Sequence, residues 1–179
     1  MRRLLWVPIV HSAADLGSLA GRARTEYSAA GWARHEQQIA SYWGGIVSAL
    51  DALSLDYAKV KIYHDSMVTD GDLGKKIVRE LARNGSADYM LTERLIDSGA
   101  RLMKTEDIEL LLQEYQAYSR SCTSPQELEN VLTQRDLYVA RRIDKTLNEG
   151  EIGILFMGAA HQVCRVLPCD ISIEEVGIR

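Results

Sequence analysis

Short runs of apolar residues recur along this chain, and each run ends in polar residues. Continuous apolar runs are typical of buried parallel strands, so they predict strands at 4–10, 60–64, 100–103 and 152–157. Residues 170–176 alternate between apolar and polar side chains, which predicts a fifth, more exposed strand. Pro8 lies inside the first run and lacks a backbone donor, so we expect that strand to be bulged or to lie near an edge of its sheet.

Apolar side chains spaced three and four residues apart predict helices between these strands. Ser124-Pro125-Gln126-Glu127 combines a capping side chain, an early proline and a glutamate, which is a strong helix start. Ile108, Leu111, Leu112, Tyr115 and Tyr118 share one helical face. The predicted helices cover about 32–53, 73–83, 87–97, 108–118 and 125–148.

Strands that alternate with helices along one chain predict an α/β fold with a largely parallel sheet of about five strands flanked by helices. The chain has 179 residues and no internal repeat or linker, so we expect a single domain over 1–179. The glycine pair Gly44-Gly45 falls inside the first long helix, where ordinary packing, a close backbone contact or a kink would each explain it.

Composition narrows the range of partners and compartments. The formal net charge of -4 gives no basic footprint for nucleic acid, and no apolar run reaches the length of a membrane span. Three cysteines, an odd and sparse set, favour a reducing compartment over a disulfide framework. We therefore expect a soluble, cytoplasmic protein with no nucleic-acid or membrane partner. Its eight tyrosines and three tryptophans would suit a homodimer interface, although core packing explains most of them.

Polar side chains follow the predicted strands at the edge where a parallel sheet collects its ligands. Histidines and carboxylates that converge there form a ligand set for a divalent metal ion, which could activate bound water as a nucleophile. The expected metal ligands are His11, Asp65, Glu106 and His161, while chance placement and helix capping are the structural alternative. Ser12 and Gly158 lie beside these residues and are expected to line the ligand site.

Two arginines fall within the apolar stripe of the long helix after Ser124. Arg135 and Arg142 would face the core side of that helix, where a charged group must be paired or must face a cavity. One interpretation is a structural salt bridge. The other is that Arg135, helped by Asp136, reaches the site and binds an anionic small-molecule ligand, with Arg142 nearby.

Two segments together resemble a known superfamily. Gln134-Arg135-Asp136, followed by a helix, Gly150, an apolar strand and Gly158-Ala-Ala-His161, resembles the C-terminal signature of the TraB/Tiki-like superfamily, which includes haem-binding ChaN-like and erythromycin-esterase-like proteins. Its N-terminal strand ends in G-x-x-H, and Val7–His11 is the matching place here, without the glycine. The family's glutamate would fall near His64-Asp65, where this chain has none. The resemblance implies a catalytic or metal-bearing pair, His11 and His161, with Arg135 beside it.

Two functional hypotheses follow from these patterns. The first is a metal-dependent hydrolase in which His11 and His161 are metal ligands or the base, Asp65 and Glu106 are carboxylate partners, and Arg135 binds the substrate's anionic group. The second is a non-catalytic small-molecule-binding or scaffold protein that keeps the fold without the reaction, which the missing glutamate favours.

Overall fold

Five strands form one sheet in the computed structural model, which describes residues 1–11, 28–120 and 124–177. The strands are β1 (Arg2–Ile9), β2 (Val60–His64), β3 (Arg101–Met103), β4 (Ile152–Gly158) and β5 (Ile171–Glu175). The α-helices in the described part of the chain are α1 (Ala29–Ala52), α2 (Gly71–Arg83), α3 (Ala87–Asp97), α4 (Ile108–Ser119), α5 (Pro125–Thr146) and α6 (Val163–Val166).

The strand order is β3-β2-β4-β1-β5, and every neighbouring pair is parallel. This confirms the predicted α/β fold and the predicted number of strands. Because all strands run the same way, their carboxyl ends meet at one edge of the sheet. Ile9, His64, Met103 and Gly158 are the last residues of β1 to β4 at that edge.

Pro8 lies in the second strand from one edge of the sheet, in agreement with the expectation that this strand is bulged or near an edge. β1 runs unbulged between β4 and β5. Its pairing with β5 covers only Arg2 to Trp6, so among the described residues no strand lies beside Pro8 on that side. The carbonyl oxygen of Pro8 accepts a hydrogen bond from the Tyr42 hydroxyl of α1 at 2.5 Å instead. A proline fits here because the missing N–H would have had no ladder partner.

Helices cover both faces of the sheet. On one face, apolar residues of α1, α2 and α3 pack on the sheet in a cluster that includes Trp43, Ile46, Val78, Leu95, Ile154 and Phe156. On the other face, α5 packs its Val139, Ala140 and Ile143 on Leu4, Tyr63, Leu155 and Met157. In the described residues, no helix is both long and apolar enough to cross a membrane.

Gly153 lies in β4 against side chains from the two strands that flank it. A Cβ atom at this position of β4 would stand 2.6 Å from Cδ1 of Leu4 and 3.3 Å from Cε2 of Tyr63. A side chain at 153 would therefore collide with buried neighbours. Gly44, by contrast, has nothing within 4 Å of its would-be Cβ, so neither a close contact nor packing explains that helical glycine.

The apolar face predicted for α4 exists, but it points away from the core. Ile108, Leu112, Tyr115 and Tyr118 are all exposed, whereas the helix contacts α5 from its opposite side, where Ala117 is buried. Leu111, the fifth residue of the predicted face, is half-buried. The spacing predicted which residues share a face of this helix, but not which face would meet α5. The capped start of α5 is confirmed, because the Ser124 hydroxyl accepts from the Glu127 backbone amide at 3.1 Å.

Candidate functional site at the strand ends

Arg135 is the centre of a buried cluster of charges at the carboxyl edge of the sheet. The side chain of this α5 residue is 4% exposed and contacts three carboxylates. Its Nη2 atom donates to Glu106 at 2.7 Å and to Asp65 at 2.7 Å, and its Nη1 atom donates to Glu114 at 2.7 Å. A further contact from Nε to Glu106, at 3.4 Å, makes that pair bidentate. The sequence-based expectation that an arginine on this stripe must be paired is confirmed.

The strand ends place two of these carboxylates side by side. Asp65 follows β2, and its backbone amide donates to the carbonyl oxygen of Phe156 in β4 at 2.9 Å. Glu106 follows β3, and its amide donates to the carbonyl oxygen of Met67 at 3.0 Å. Ser66 adopts a positive φ of 62°, which lets the chain turn sharply between Asp65 and Met67.

His161 is fixed by Asp136, the residue that follows Arg135 on α5. The Nδ1 atom of His161 donates to Oδ1 of Asp136 at 2.6 Å, because an ionised carboxylate can only accept. The second oxygen of Asp136 accepts from the Gln162 backbone amide at 2.6 Å, which fixes the loop after β4. The Nε2 atom of His161 then faces Oδ2 of Asp65 at 3.8 Å.

Burial and the neighbouring charges shift the pKa values of this cluster in different directions. Burial lowers the pKa of His161, but the hydrogen bond to Asp136 and the charge of Asp65 outweigh it and leave that pKa raised. Burial raises the pKa of Asp65, but Arg135 and His161 outweigh it and leave that pKa lowered. For fully buried Glu106, burial is stronger than its bonds to Arg135, so its pKa is raised. Both shifts have the same cause, because a protonated His161 and an ionised Asp65 attract each other across this contact.

A cleft of about 270 Å³ opens beside Asp65. Its described lining includes His11 and Ser66, with Asn84, Asp88 and Tyr89 on the opposite wall. Two aspartates and no lysine or arginine belong to this lining. The electrostatic character of the cleft therefore favours a neutral or positively charged ligand over an anionic one.

His64 forms the inner wall of this cleft. Its side chain is 1% exposed and stacks against Tyr89 and Phe156, with ring centroids 4.2 and 5.3 Å away. Its Nδ1 atom donates to the Asp65 carbonyl oxygen at 3.0 Å. Its Nε2 atom lies 3.5 Å from Oδ2 of Asp88 but makes no hydrogen bond there, so this contact is an ion pair only when the ring is protonated.

The predicted site residues fall into three groups. Asp65, Glu106, Arg135 and His161 converge as expected, Gly158 lies beside His161 and Asp65, and exposed His11 borders the cleft next to Asp65. Arg142 lies two turns along α5 from Arg135, about 10 Å away, and donates to the Lys104 carbonyl oxygen at 3.2 Å. Ser12 falls outside the described residues.

Two features of the cluster differ from the expected roles, and a further observation concerns Cys164, three residues after His161. Both oxygens of Glu106 are bonded to Arg135, so this carboxylate is a partner of the arginine rather than an open metal ligand. Carboxylates also accept from most of the guanidinium donors of Arg135, which leaves little capacity for a substrate anion. Burial raises the pKa of Cys164 to about 11, which disfavours a thiolate nucleophile next to His161.

Sequence reasoning missed Glu114 and Asp88. Glu114 reaches Arg135 from α4, and no sequence motif indicates which face of that helix meets α5. Asp88 lies in the first turn of α3, two residues after the N-cap residue Ser86. An acidic residue at this position is already explained by its favourable interaction with the helix dipole, so it did not indicate a site. Asp136 could be identified from the sequence, because it directly follows Arg135. It also lies in the segment that resembles the TraB/Tiki-like signature, and that segment ends at His161, the residue that Asp136 binds.

The site therefore contains an oriented histidine, an ionised aspartate facing it and a buried arginine that organises the surrounding carboxylates. Among the described residues, no three histidine, cysteine, aspartate or glutamate side chains are grouped as a metal site. Comparisons with protein-family models, with curated proteins and with solved structures found no match to this chain.

Proposed function

We propose that this protein is a hydrolase in which His161 is the general base at the strand ends. One observation carries the proposal: Asp136 fixes the Nδ1 atom of His161 at 2.6 Å, so its Nε2 atom is the one free to exchange a proton. An imidazole held by a buried carboxylate in this way is an arrangement that activates a hydroxyl or a water molecule.

Asp65 has two roles in this proposal. Its Oδ1 atom accepts from Arg135, which keeps the carboxylate ionised, and its Oδ2 atom faces Nε2 of His161 at 3.8 Å. When His161 is neutral, a water molecule or a substrate hydroxyl bound beside these two atoms would lose its proton to Nε2, and Asp65 would stabilise the imidazolium that forms. The lining of the cleft beside Asp65 favours a neutral or cationic substrate.

The divalent metal ion expected from the sequence is a separate prediction, because a ring whose Nε2 atom binds a metal cannot take up a proton at that atom. His161 Nε2 and Asp65 Oδ2 are an imidazole and a carboxylate that face each other, and Asp136 supplies the carboxylate partner that metal-bound histidines usually have. His11, on the neighbouring strand end, is the expected third ligand. A bound divalent ion would lower the pKa of its water ligand.

A broad screen of ester, phosphate and peptide substrates, with and without added Zn²⁺ and Mn²⁺, tests the proposed reaction. We expect turnover in the wild-type protein that falls about 10²- to 10⁴-fold in His161→Ala, the usual range for loss of a general base. His35→Ala, on α1, is the matched control and should keep the activity. Turnover that survives in His161→Ala would sink the proposal.

The second candidate is a non-catalytic small-molecule-binding protein. The observation that favours it is the closed set of bonds around Arg135, which is paired with three carboxylates of the protein itself and so resembles a structural centre. Binding of a small cation or neutral ligand in the cleft beside Asp65, with no turnover in the same screen, would support this candidate over the hydrolase.

A further inference from the structure

An apolar stripe runs along the exposed side of α4. Ile108, Leu112, Tyr115 and Tyr118 recur at spacings of four, three and three residues, so they lie on one face of the helix. Their exposures are 50%, 51%, 71% and 71%, in the same order. We call these four residues the α4 stripe. In the part of the chain that the structure describes, the opposite side of α4 contacts α5 and the stripe faces outward.

The size of the α4 stripe is that of an interface core. Four side chains of these types, exposed to this degree, present on the order of 500 Å², near the upper end of the largest apolar patch on a typical monomer. A standard specific interface covers about 800 Å² on each partner, with a polar rim around an apolar centre. The stripe supplies such a centre, and the polar residues beside it on α4 can supply the rim.

The α4 stripe is complementary to a second, antiparallel copy of itself. Its first two residues are aliphatic and its last two are aromatic, so the antiparallel arrangement places aliphatic side chains against aromatic ones. If two α4 helices cross antiparallel about a two-fold axis between Gln113 and Glu114, Leu112 of one copy lies opposite Tyr115 of the other, and Ile108 lies within one residue of the position opposite Tyr118. Each contact then joins an aliphatic side chain to an aromatic one, in both directions. Such isologous matching is the property that a two-fold homodimer requires.

The charges at the two ends of α4 also match in this arrangement. Glu109 lies in the first turn, and Arg120 follows the last residue of the helix. In an antiparallel pair, Glu109 of each copy approaches Arg120 of the other, and the two helix dipoles oppose each other favourably. Arg120 now contacts Glu127 at 3.5 Å with both side chains largely exposed, and an exposed pair of this kind is weak enough to exchange.

We propose that two copies of this chain associate through α4, antiparallel about a two-fold axis beside Gln113 and Glu114. The stripe forms the apolar centre of the interface, and two Glu109–Arg120 pairs close its ends. This interface is independent of the reaction. It covers the outer side of α4, whereas Glu114 reaches Arg135 from the inner side of that helix.

Sedimentation velocity over a range of protein concentrations tests the interface. We expect a concentration-dependent dimer in the wild-type chain and a monomer in Leu112→Asp. Leu73→Asp is the matched control, because Leu73 is a leucine of α2 with 60% exposure and no place in the stripe, so that variant should remain dimeric. Far-UV circular dichroism and urea unfolding must show that both variants are folded.

A charge swap separates this arrangement from other ways of covering the stripe. Glu109→Arg alone and Arg120→Glu alone should each weaken the dimer, about two- to fivefold for an exposed pair, and the double variant should recover the wild-type affinity. A wild-type chain that stays monomeric at concentrations on the order of 100 μM would overturn the proposal and assign the stripe to a different partner. A dimer that persists in Leu112→Asp, or a double variant weaker than both single variants, would also overturn it.

Discussion

The Nε2 atom of His161 faces the Oδ2 atom of Asp65 at 3.8 Å, while its Nδ1 atom is held by Asp136. Two carboxylates therefore approach the same imidazole from both sides. A neutral ring would turn a lone pair toward Asp65, whereas a protonated ring satisfies both contacts. The geometry explains why the pKa of His161 is raised even though burial alone would lower it.

Replacing Asp136 by asparagine removes the strongest group that raises the pKa of His161, so we expect this pKa to fall in Asp136→Asn. The measurement is an NMR titration of the His161 imidazole protons in both proteins. Glu149→Gln, an exposed carboxylate bonded to the N-terminus far from the site, is the control and should leave the titration unchanged. An unaltered His161 titration in Asp136→Asn would contradict the assigned contact.

The raised pKa of His161 also predicts how stability depends on pH. Its stabilising contribution is fully present below the unfolded-state pKa of about 6.5 and is lost as pH rises through the higher folded-state pKa. The difference in unfolding free energy between the wild type and His161→Gln should therefore shrink from about pH 5.5 to about pH 9. Urea unfolding at both pH values measures it, and a difference that grows with pH would have the wrong sign.

Arg135→Leu should be severely destabilising, because it leaves fully buried Glu106 without its partner. Breaking a buried ion pair from one side costs about 3–5 kcal/mol, so we expect a loss of this size in urea unfolding. The double variant Arg135→Leu with Glu106→Leu should recover part of it, since no buried charge would then be unpaired between these two positions. Arg120→Leu, at an exposed pair, is the control and should change stability little.

Two glycine-to-alanine variants should have opposite effects on stability. Gly153→Ala forces a Cβ to within 2.6 Å of Leu4, and overpacking of this kind costs about 1–3 kcal/mol. Gly44→Ala fills open space in the middle of α1 and should stabilise the protein by about 0.5–1 kcal/mol. Thermal or urea unfolding of both variants decides the matter, and equal shifts of the same sign would contradict the packing described around Gly153.

The predicted divalent ion has its own test. Protein purified without an affinity tag and equilibrated with Zn²⁺ or Mn²⁺ should retain metal after gel filtration, as measured by elemental analysis. His161→Ala and Asp65→Asn should each reduce the metal content, and Arg142→Ala, about two helical turns away, should not. Equal metal content in all four proteins would remove the metal from the proposed reaction without affecting the assignment of His161 as base.

Much of the fold was predictable because local patterns determine it. The boundaries of β2 were predicted to the residue, and β4 and α5 within two residues, since an apolar run or a capping signal marks each end. Pro8 predicted a strand near an edge, but the reason that a proline fits there was not predictable, because it depends on where β5 stops relative to β1. That relation is a property of strand order, and strand order has no local signature in the sequence.

The candidate site was also predictable only in part: which residues meet could be predicted, whereas what each of them binds could not. Asp65, Glu106 and His161 were expected together because parallel strands bring their carboxyl ends to one edge. Their roles were less predictable, because a role depends on which partner each oxygen reaches. Glu106 binds Arg135 with both oxygens, and Glu114 joins from a helix whose orientation only tertiary packing determines.

The strand order has a consequence for how this chain is made. β1 and β2 follow each other along the chain but do not pair with each other, because β4 lies between them. During synthesis, β1 and β2 therefore cannot join one sheet until Ile152–Gly158, the strand between them, has left the ribosome. A sheet that is closed by such a distant insertion is expected to form slowly and late. The same segment carries the loop with His161, so the nascent protein gains its central strand and its histidine in one step.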